Sequence, residues 1–138
     1  MPTPRTALVT GASRGIGAAC ALKLADNGWD VAVNYARDAA AAARVAAQVR
    51  ERGRRALVLQ ADVADEAAVL AMFAGIDREW GSLGALVNNA GIVDMKSRFD
   101  AMAAARWRRM FDINIIGREI GSTVKSDPDN HFGRRRRK

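Results

Sequence analysis

Apolar residues along the chain alternate between short continuous runs and longer stretches at helical spacing. The continuous runs predict four buried strands, at Thr6–Thr10, Asp30–Asn34, Ala56–Gln60 and Ala85–Asn88. Each run is followed by a stretch that predicts a helix, and these end near Asn27, Arg52, Trp80 and Ile113. The first helix is predicted to begin at about Gly15, and the other three have the candidate N-caps Asp38, Asp65 and Asp100.

This strict alternation of strand and helix sets the fold class. Strands that are apolar throughout are typical of a parallel sheet covered on both faces, whereas half-exposed strands alternate apolar and polar positions. Right-handed crossovers then give a doubly wound sheet. The predicted fold is therefore a Rossmann-like α/β sheet of about four strands with flanking helices.

Composition and charge narrow the range of functions. The 138 residues suit one domain, and 49% hydrophobic content excludes a disordered composition. The net charge of +7 comes largely from the final "RRRRK", which supplies five of the 22 basic residues; the rest is 17 basic against 15 acidic residues, or +2. Such a short run binds anionic surfaces nonspecifically at most, so a nucleic-acid partner is not favoured.

The cysteine count and the apolar run lengths bear on the compartment. Cys20 is the single cysteine and cannot form an internal disulfide. The N-terminal "MPTPRTALVT" has no apolar stretch typical of a signal peptide, and no apolar run approaches membrane-spanning length. We expect a cytoplasmic protein without a membrane partner.

The stretch "TGASRGIG" (Thr10–Gly17) lies between the first strand and the first helix. Gly11 suits a tight turn, and Gly15 and Gly17 permit close approach of backbone or ligand. The N–H groups at the helix start, with the helix dipole, form an anion site for which a pyrophosphate is the natural ligand. A purely structural turn is the alternative.

Four segments carry a resemblance to a known family. They are the G-x-x-x-G-x-G turn, "DV" at Asp62–Val63, "NNAG" at Asn88–Gly91 and "WRRMFDINIIG" ending at Gly117. In this order they resemble the short-chain dehydrogenase/reductase family. The resemblance covers Thr6 to Gly117, so we expect an incomplete Rossmann dinucleotide-binding domain at 1–117 and a divergent, disordered basic tail at 118–138.

The resemblance implies roles for individual residues. The glycine turn would line the cofactor phosphates and the adenosine ribose with Gly11, Ser13, Arg14, Gly15, Ile16 and Gly17. Asp62 and Val63 would contact the adenine, and Asn114 matches the family's active-site asparagine. The residues beside the cofactor would be Asn89, Ala90 and Gly91. Two alternatives stay open: Asp62 as a turn or cap residue, and Asn114 as a polar residue at a helix end.

The end of the second strand bears on the choice of dinucleotide. An NAD site usually has an acid there, near the ribose 2′-hydroxyl. This chain instead has Asn34, Tyr35 and Ala36, followed by Arg37, and a second guanidinium at Arg14. Because guanidinium groups bind a 2′-phosphate by charge-assisted hydrogen bonds, the sequence predicts NADP(H) in preference to NAD(H). The alternative is that Arg37 is a solvated residue at a helix start.

Catalysis in the family resembles acid–base chemistry by a tyrosine in a Tyr-x-x-x-Lys pair, assisted by a serine. The chain has one tyrosine, Tyr35, with Ala39 four residues later. We therefore expect a truncated NADP(H)-dependent oxidoreductase that retains the cofactor motifs but lacks turnover. The alternative is a non-catalytic nucleotide-binding module that self-associates, or pairs with a full-length relative, through an exposed sheet edge.

Overall fold

The computed structural model describes residues 5–91 and 103–116, and the bounds below refer to them. The strands are β1 Thr6–Val9, β2 Asp30–Tyr35, β3 Ala56–Gln60 and β4 Ala85–Val87. The helices are α1 Gly15–Asp26, α2 Ala39–Glu51, α3 Glu66–Trp80 and α4 Ala104–Phe111, and α4 continues into a π-helical turn at Asp112–Ile116. Within the described ranges, no helix has both the length and the apolar character needed to cross a bilayer.

The four strands form one parallel sheet in the order β3-β2-β1-β4. The chain thus runs outward from β1 to β3 and then returns to place β4 on the other side of β1. This reversal is the defining feature of a doubly wound sheet, and it confirms the predicted fold class.

Alternate side chains of the strands build two apolar layers, one on each face of the sheet. On one face Val9 and Val33 pack with Val45 of α2 and with alanines of α1. On the other face Leu8 packs with Phe73 of α3. The strands β1 and β2 are buried on both faces, as their continuous apolar runs predicted. The prediction of buried strands is wrong for β3, where Val58 is 37% exposed, and for β4, which is half-buried, because each of these two has one neighbouring strand among the described residues.

Two of the predicted helix caps are formed. Asp38 Oδ1 accepts a hydrogen bond from the backbone N–H of Ala41 at 2.9 Å, and Asp65 Oδ1 accepts one from Ala68 at 3.2 Å. The third candidate cap, Asp100, lies outside the described residues. The last helix differs from the prediction because its α-helical part ends at Phe111, before the π-helical turn.

The amino end of β2 is tied to β3 by a buried carboxylate. Asp30 is 5% exposed and accepts hydrogen bonds from Arg55 N at 2.9 Å and Arg55 Nε at 2.7 Å. Arg54 Nη2 lies 3.0 Å from the same carboxylate. Burial by itself raises the pKa of Asp30, but the Arg55 hydrogen bonds and the two guanidinium charges outweigh it, so the pKa lies below its usual value of 3.8.

Candidate strand-end pocket

The carboxyl ends of the strands open onto a pocket of about 600 Å³, here named the strand-end pocket. In an open α/β sheet this edge, where the strand order reverses, is the usual place for a ligand. Most of the residues that the sequence assigned to a cofactor site line it, namely Gly11, Ser13, Arg14, Gly15, Ile16, Asn34, Ala36, Arg37, Asp62, Val63, Asn89, Ala90 and Gly91.

Three of the assigned residues do not line this pocket. Gly17 is buried beneath the glycine turn, and Tyr35 is half-buried and packs against the core on the α1–α2 face. Asn114 lies behind Gly91, since a Cβ added to Gly91 would be 3.1 Å from Asn114 Oδ1. Their contacts with a cofactor stay predictions. The pocket also has lining residues that the sequence did not assign to it: Asp38, Ala61, Arg109 and Ile113.

The glycine turn is packed so closely that two of its positions exclude a side chain. Gly11 has φ +62°, and a Cβ there would lie 2.9 Å from Cα of Ala90. A Cβ at Gly17 would overlap the carbonyl oxygen of Gly11 and lie 2.5 Å from Nδ2 of Asn89. The motif therefore packs the start of α1 directly onto the ends of β1 and β4.

The first turn of α1 faces the pocket without a side-chain cap. Arg14 occupies the N-cap position with no side-chain hydrogen bond, and the turn holds no acidic residue. By contrast, α2 and α3 begin with capping aspartates. The exposed N–H groups and the dipole of α1 consequently favour an anion at this end of the pocket. Ile16, at the same helix start, is 77% exposed.

A threonine and an asparagine join β1 to the segment after β4. Thr10 Oγ1 accepts from the backbone N–H groups of Asn89 and Ala90, each at 3.0 Å, and donates to the Val87 carbonyl at 3.3 Å. Asn89 Nδ2 donates to the carbonyls of Thr10 and Gly11 at 3.0 Å. The sequence did not single out Thr10; its only signal was a hydroxyl residue directly before the first glycine.

Asn34 makes the corresponding connection on the β2 side. Its side chain is buried at 1% exposure, and Oδ1 accepts from the Gly11 N–H at 3.0 Å. Its Nδ2 donates to the carbonyls of Leu59 and Ala61 at 3.2 Å each. The Asn34 amide thus bonds inward to protein, and a direct contact with a cofactor stays a prediction.

Asp62 fits both interpretations that the sequence allowed. Oδ1 accepts from the backbone N–H of Ala64 at 3.0 Å, as in a turn. Oδ2 faces the pocket and lies 3.9 Å from Nη1 of Arg109 on α4. No local sequence signal relates Arg109 to Asp62, because the two residues belong to different crossover units.

The charges around the pocket are mainly positive at its β2 end. Arg14 and Arg37 both line it and are exposed, and neither guanidinium has an ion-pair or hydrogen-bond partner within residues 5–91 and 103–116. Asp38 lies next to Arg37 and also lines the pocket, with Oδ1 occupied by the α2 cap. This end of the pocket thus presents the two guanidiniums of Arg14 and Arg37 and the one carboxylate of Asp38.

Comparisons with known proteins agree with this architecture. The family model for short chain dehydrogenases matches residues 5–123. An uncharacterized oxidoreductase, YgfF of Escherichia coli, is 48% identical over 111 residues, which are 80% of this chain and 45% of the relative. A 3-oxoacyl-[acyl-carrier-protein] reductase, FabG of Staphylococcus aureus, is 42% identical over 117 residues, which are 85% of this chain and 47% of that one.

A solved structure extends the similarity to three dimensions. A short chain dehydrogenase from Burkholderia cenocepacia in complex with NADP superposes with a TM-score of 0.82 at 39% identity. The superposition covers 88% of this chain and 49% of that chain. A doubly wound sheet with a glycine-turn pocket defines a Rossmann-like α/β protein. The chain belongs to the short-chain dehydrogenase/reductase family, and it spans about half the length of the relatives it matches.

Proposed function

We propose that the strand-end pocket binds a nicotinamide dinucleotide, with the pyrophosphate at the start of α1. The observation that carries this proposal is the uncapped first turn of α1, which opens into a pocket whose floor is the tightly packed glycine turn. N–H groups there supply hydrogen bonds and partial positive charge to a phosphate. The similar Burkholderia protein, which holds NADP, supports the choice of ligand.

We further propose that the site prefers NADP(H) to NAD(H). Arg14 and Arg37 line the pocket without partners among the described residues, at the strand end where a 2′-phosphate would lie in such a site. Ala36 provides no carboxylate that could accept a hydrogen bond from the ribose 2′-hydroxyl of NAD(H). Asp38 is the opposing charge, and its cap to Ala41 directs one of its oxygens to the helix backbone.

The reaction class proposed from the family is hydride transfer between the dinucleotide and a carbonyl or alcohol. A bound nicotinamide would supply the hydride, and a protein acid would supply the proton. Residues 1–138 contain one tyrosine, Tyr35, which packs against the core rather than lining the pocket, and no Tyr-x-x-x-Lys pair. We propose that this chain by itself binds the dinucleotide without turnover, with Asn114 as the residue matching the family's catalytic set.

The proposed organisation is a dinucleotide-binding unit at 1–117 followed by a basic segment at 118–138. A second candidate function is a module that pairs with another copy or with a full-length relative. The observation that favours it is β4, which among the described strands has β1 as its single partner and is half-buried throughout. Size-exclusion chromatography with light scattering tests it, and a monomer at all concentrations would exclude self-pairing.

Thermal unfolding of the purified 138-residue chain tests nucleotide binding. A ligand that binds the folded state alone raises the unfolding midpoint by mass action. We expect a cooperative transition that shifts upward with NADPH and less with NADH. A cooperative transition that neither nucleotide moves would refute the binding proposal. NADPH oxidation with carbonyl substrates by the pure chain would refute the absence of turnover.

A further inference from the structure

We infer that Asn34 is a positioning residue that sets the shape of the strand-end pocket rather than a residue that contacts the ligand. It lies at the end of β2, between the glycine turn and the segment that follows β3. Both segments contribute residues to the pocket lining, and the Asn34 side chain is hydrogen-bonded to both.

The oxygen and the nitrogen of the Asn34 amide are both hydrogen-bonded to the backbone. Oδ1 accepts from Gly11 N at 3.0 Å, and the two Nδ2 hydrogens go to Leu59 O and Ala61 O at 3.2 Å each. The Asn34 main chain adds a fourth bond, because its carbonyl accepts from Ala12 N at 2.8 Å. A carboxamide both donates and accepts, so neither a carboxylate nor an apolar side chain could make this set of bonds.

The hydrogen-bond partners of Asn34 explain why replacing this residue should disturb the pocket rather than the whole sheet. The bond to Gly11 fixes the residue whose close approach to Ala90 shapes the glycine turn. The bond to Ala61 fixes the backbone directly before Asp62, which also lines the pocket. At 1% exposure Asn34 is shielded from water, so an unpaired partner could not be compensated by solvent without opening the structure.

The chain provides a matched control on the same strand. Asp30, at the amino end of β2, is also buried and polar, and it also ties β2 to β3 through Arg55. It does not line the pocket. Both residues stabilise the same strand pair, but only Asn34 does so at the edge that carries the site.

The test compares Asn34→Leu and Asn34→Asp with Asp30→Asn in the full chain. The first readout, amide hydrogen exchange, does not require a ligand. Asn34→Leu should speed exchange in both pocket segments, at 10–13 and 59–63. Asn34→Asp keeps an acceptor for Gly11 and should affect mainly 59–63. Asp30→Asn should speed exchange instead at the amino ends of β2 and β3.

The second readout is the dissociation constant for NADPH, and this arm rests on the proposed function. Because a tenfold change corresponds to one lost hydrogen bond of ordinary strength, we expect Asn34→Leu to weaken binding about tenfold or more. Asp30→Asn should leave the constant within about twofold. Unchanged binding by Asn34→Leu, while the wild-type chain binds NADPH, would overturn the inference and leave the proposed function standing.

The remaining outcomes are also decisive. If the wild-type chain binds no nucleotide but exchange changes in the pocket segments alone, the inference holds and the proposed function fails. Exchange that rises uniformly over the sheet in both Asn34 variants would overturn the inference. The inference would also be overturned if Asp30→Asn unfolds cooperatively and neither Asn34 variant does. Asn34 would then stabilise the whole fold rather than the pocket alone.

Discussion

The Asp62 carboxylate and the Arg109 guanidinium lie 3.9 Å apart in the lining of the strand-end pocket. Asp62 follows β3 and Arg109 belongs to α4, so this ion pair joins the last described helix to the wall of the site. The two side chains are 42% and 47% exposed, and such pairs contribute only about 0–1 kcal/mol. The pair is therefore a weak, screenable contact rather than a determinant of the fold.

Replacing Arg109 by alanine should lower the free energy of unfolding by less than about 1 kcal/mol, and by still less in high salt. Arg108→Ala is the control, because Arg108 is exposed on the same helix and does not line the pocket. Urea unfolding at low and high salt measures both variants. A loss above about 1 kcal/mol for Arg109→Ala that salt does not reduce, and that Arg108→Ala does not show, would contradict a weak, screenable ion pair.

This ion pair also shows where sequence reasoning ends. Strands, helices and the caps Asp38 and Asp65 were predictable because each depends on neighbours a few residues away. The glycine turn was predictable as a local motif. The contacts of Arg109 with Asp62, and of Asn34 with Gly11 and Ala61, depend on which chain segments become neighbours in the sheet, and no local pattern contains that information.

Two glycines of the turn separate the effect of steric overlap from that of backbone conformation. Gly17→Ala should destabilise the fold by about 1–3 kcal/mol, because the new Cβ overlaps the Gly11 carbonyl and crowds Asn89. Gly15→Ala should cost about 1 kcal/mol, since Gly15 has φ +60° but no atom within 4 Å of the added Cβ. The midpoints of urea unfolding of the two variants and of the wild type measure both losses of stability. A Gly15→Ala chain that is less stable than Gly17→Ala would show that the turn is not packed as described.

The Asp30 cluster predicts a pH dependence of stability. The pKa of Asp30 is lower in the folded chain than its usual 3.8, so the folded state binds its proton less tightly than the unfolded state does. The resulting stabilisation is present in full above 3.8 and is lost as the pH falls through the lowered folded-state pKa. Urea unfolding of wild type and Asp30→Asn should therefore differ most near neutral pH and converge in acid. A stability difference between the two proteins that grows toward acid pH would contradict a lowered pKa of Asp30.

The choice of dinucleotide can be tested by removing the two guanidiniums. Arg14→Ala and Arg37→Ala should each weaken NADPH binding by about tenfold, because each removes a charge-assisted hydrogen bond to the 2′-phosphate. NADH lacks that phosphate and should be affected much less. Arg44→Ala, an exposed position on α2 outside the pocket, is the charge-matched control. Equal weakening of NADPH and NADH would reject a 2′-phosphate site.

Asp38 gives the complementary test, in which binding should improve. Its carboxylate lines the pocket beside Arg37 and opposes a phosphate, while its Oδ1 caps α2 through Ala41. Asn is as good an N-cap as Asp, so Asp38→Asn removes the charge and keeps the helix start. Removing a repulsion of about 0.2–1 kcal/mol should tighten NADPH binding about 1.4- to 5-fold and leave NADH nearly unchanged. Asp65→Asn makes the same change at the α3 cap, outside the pocket, and should alter neither affinity. If Asp38→Asn instead weakens NADPH while Asp65→Asn does not, Asp38 would be a ligand contact, and the phosphate would not lie at the Arg37 side of the pocket.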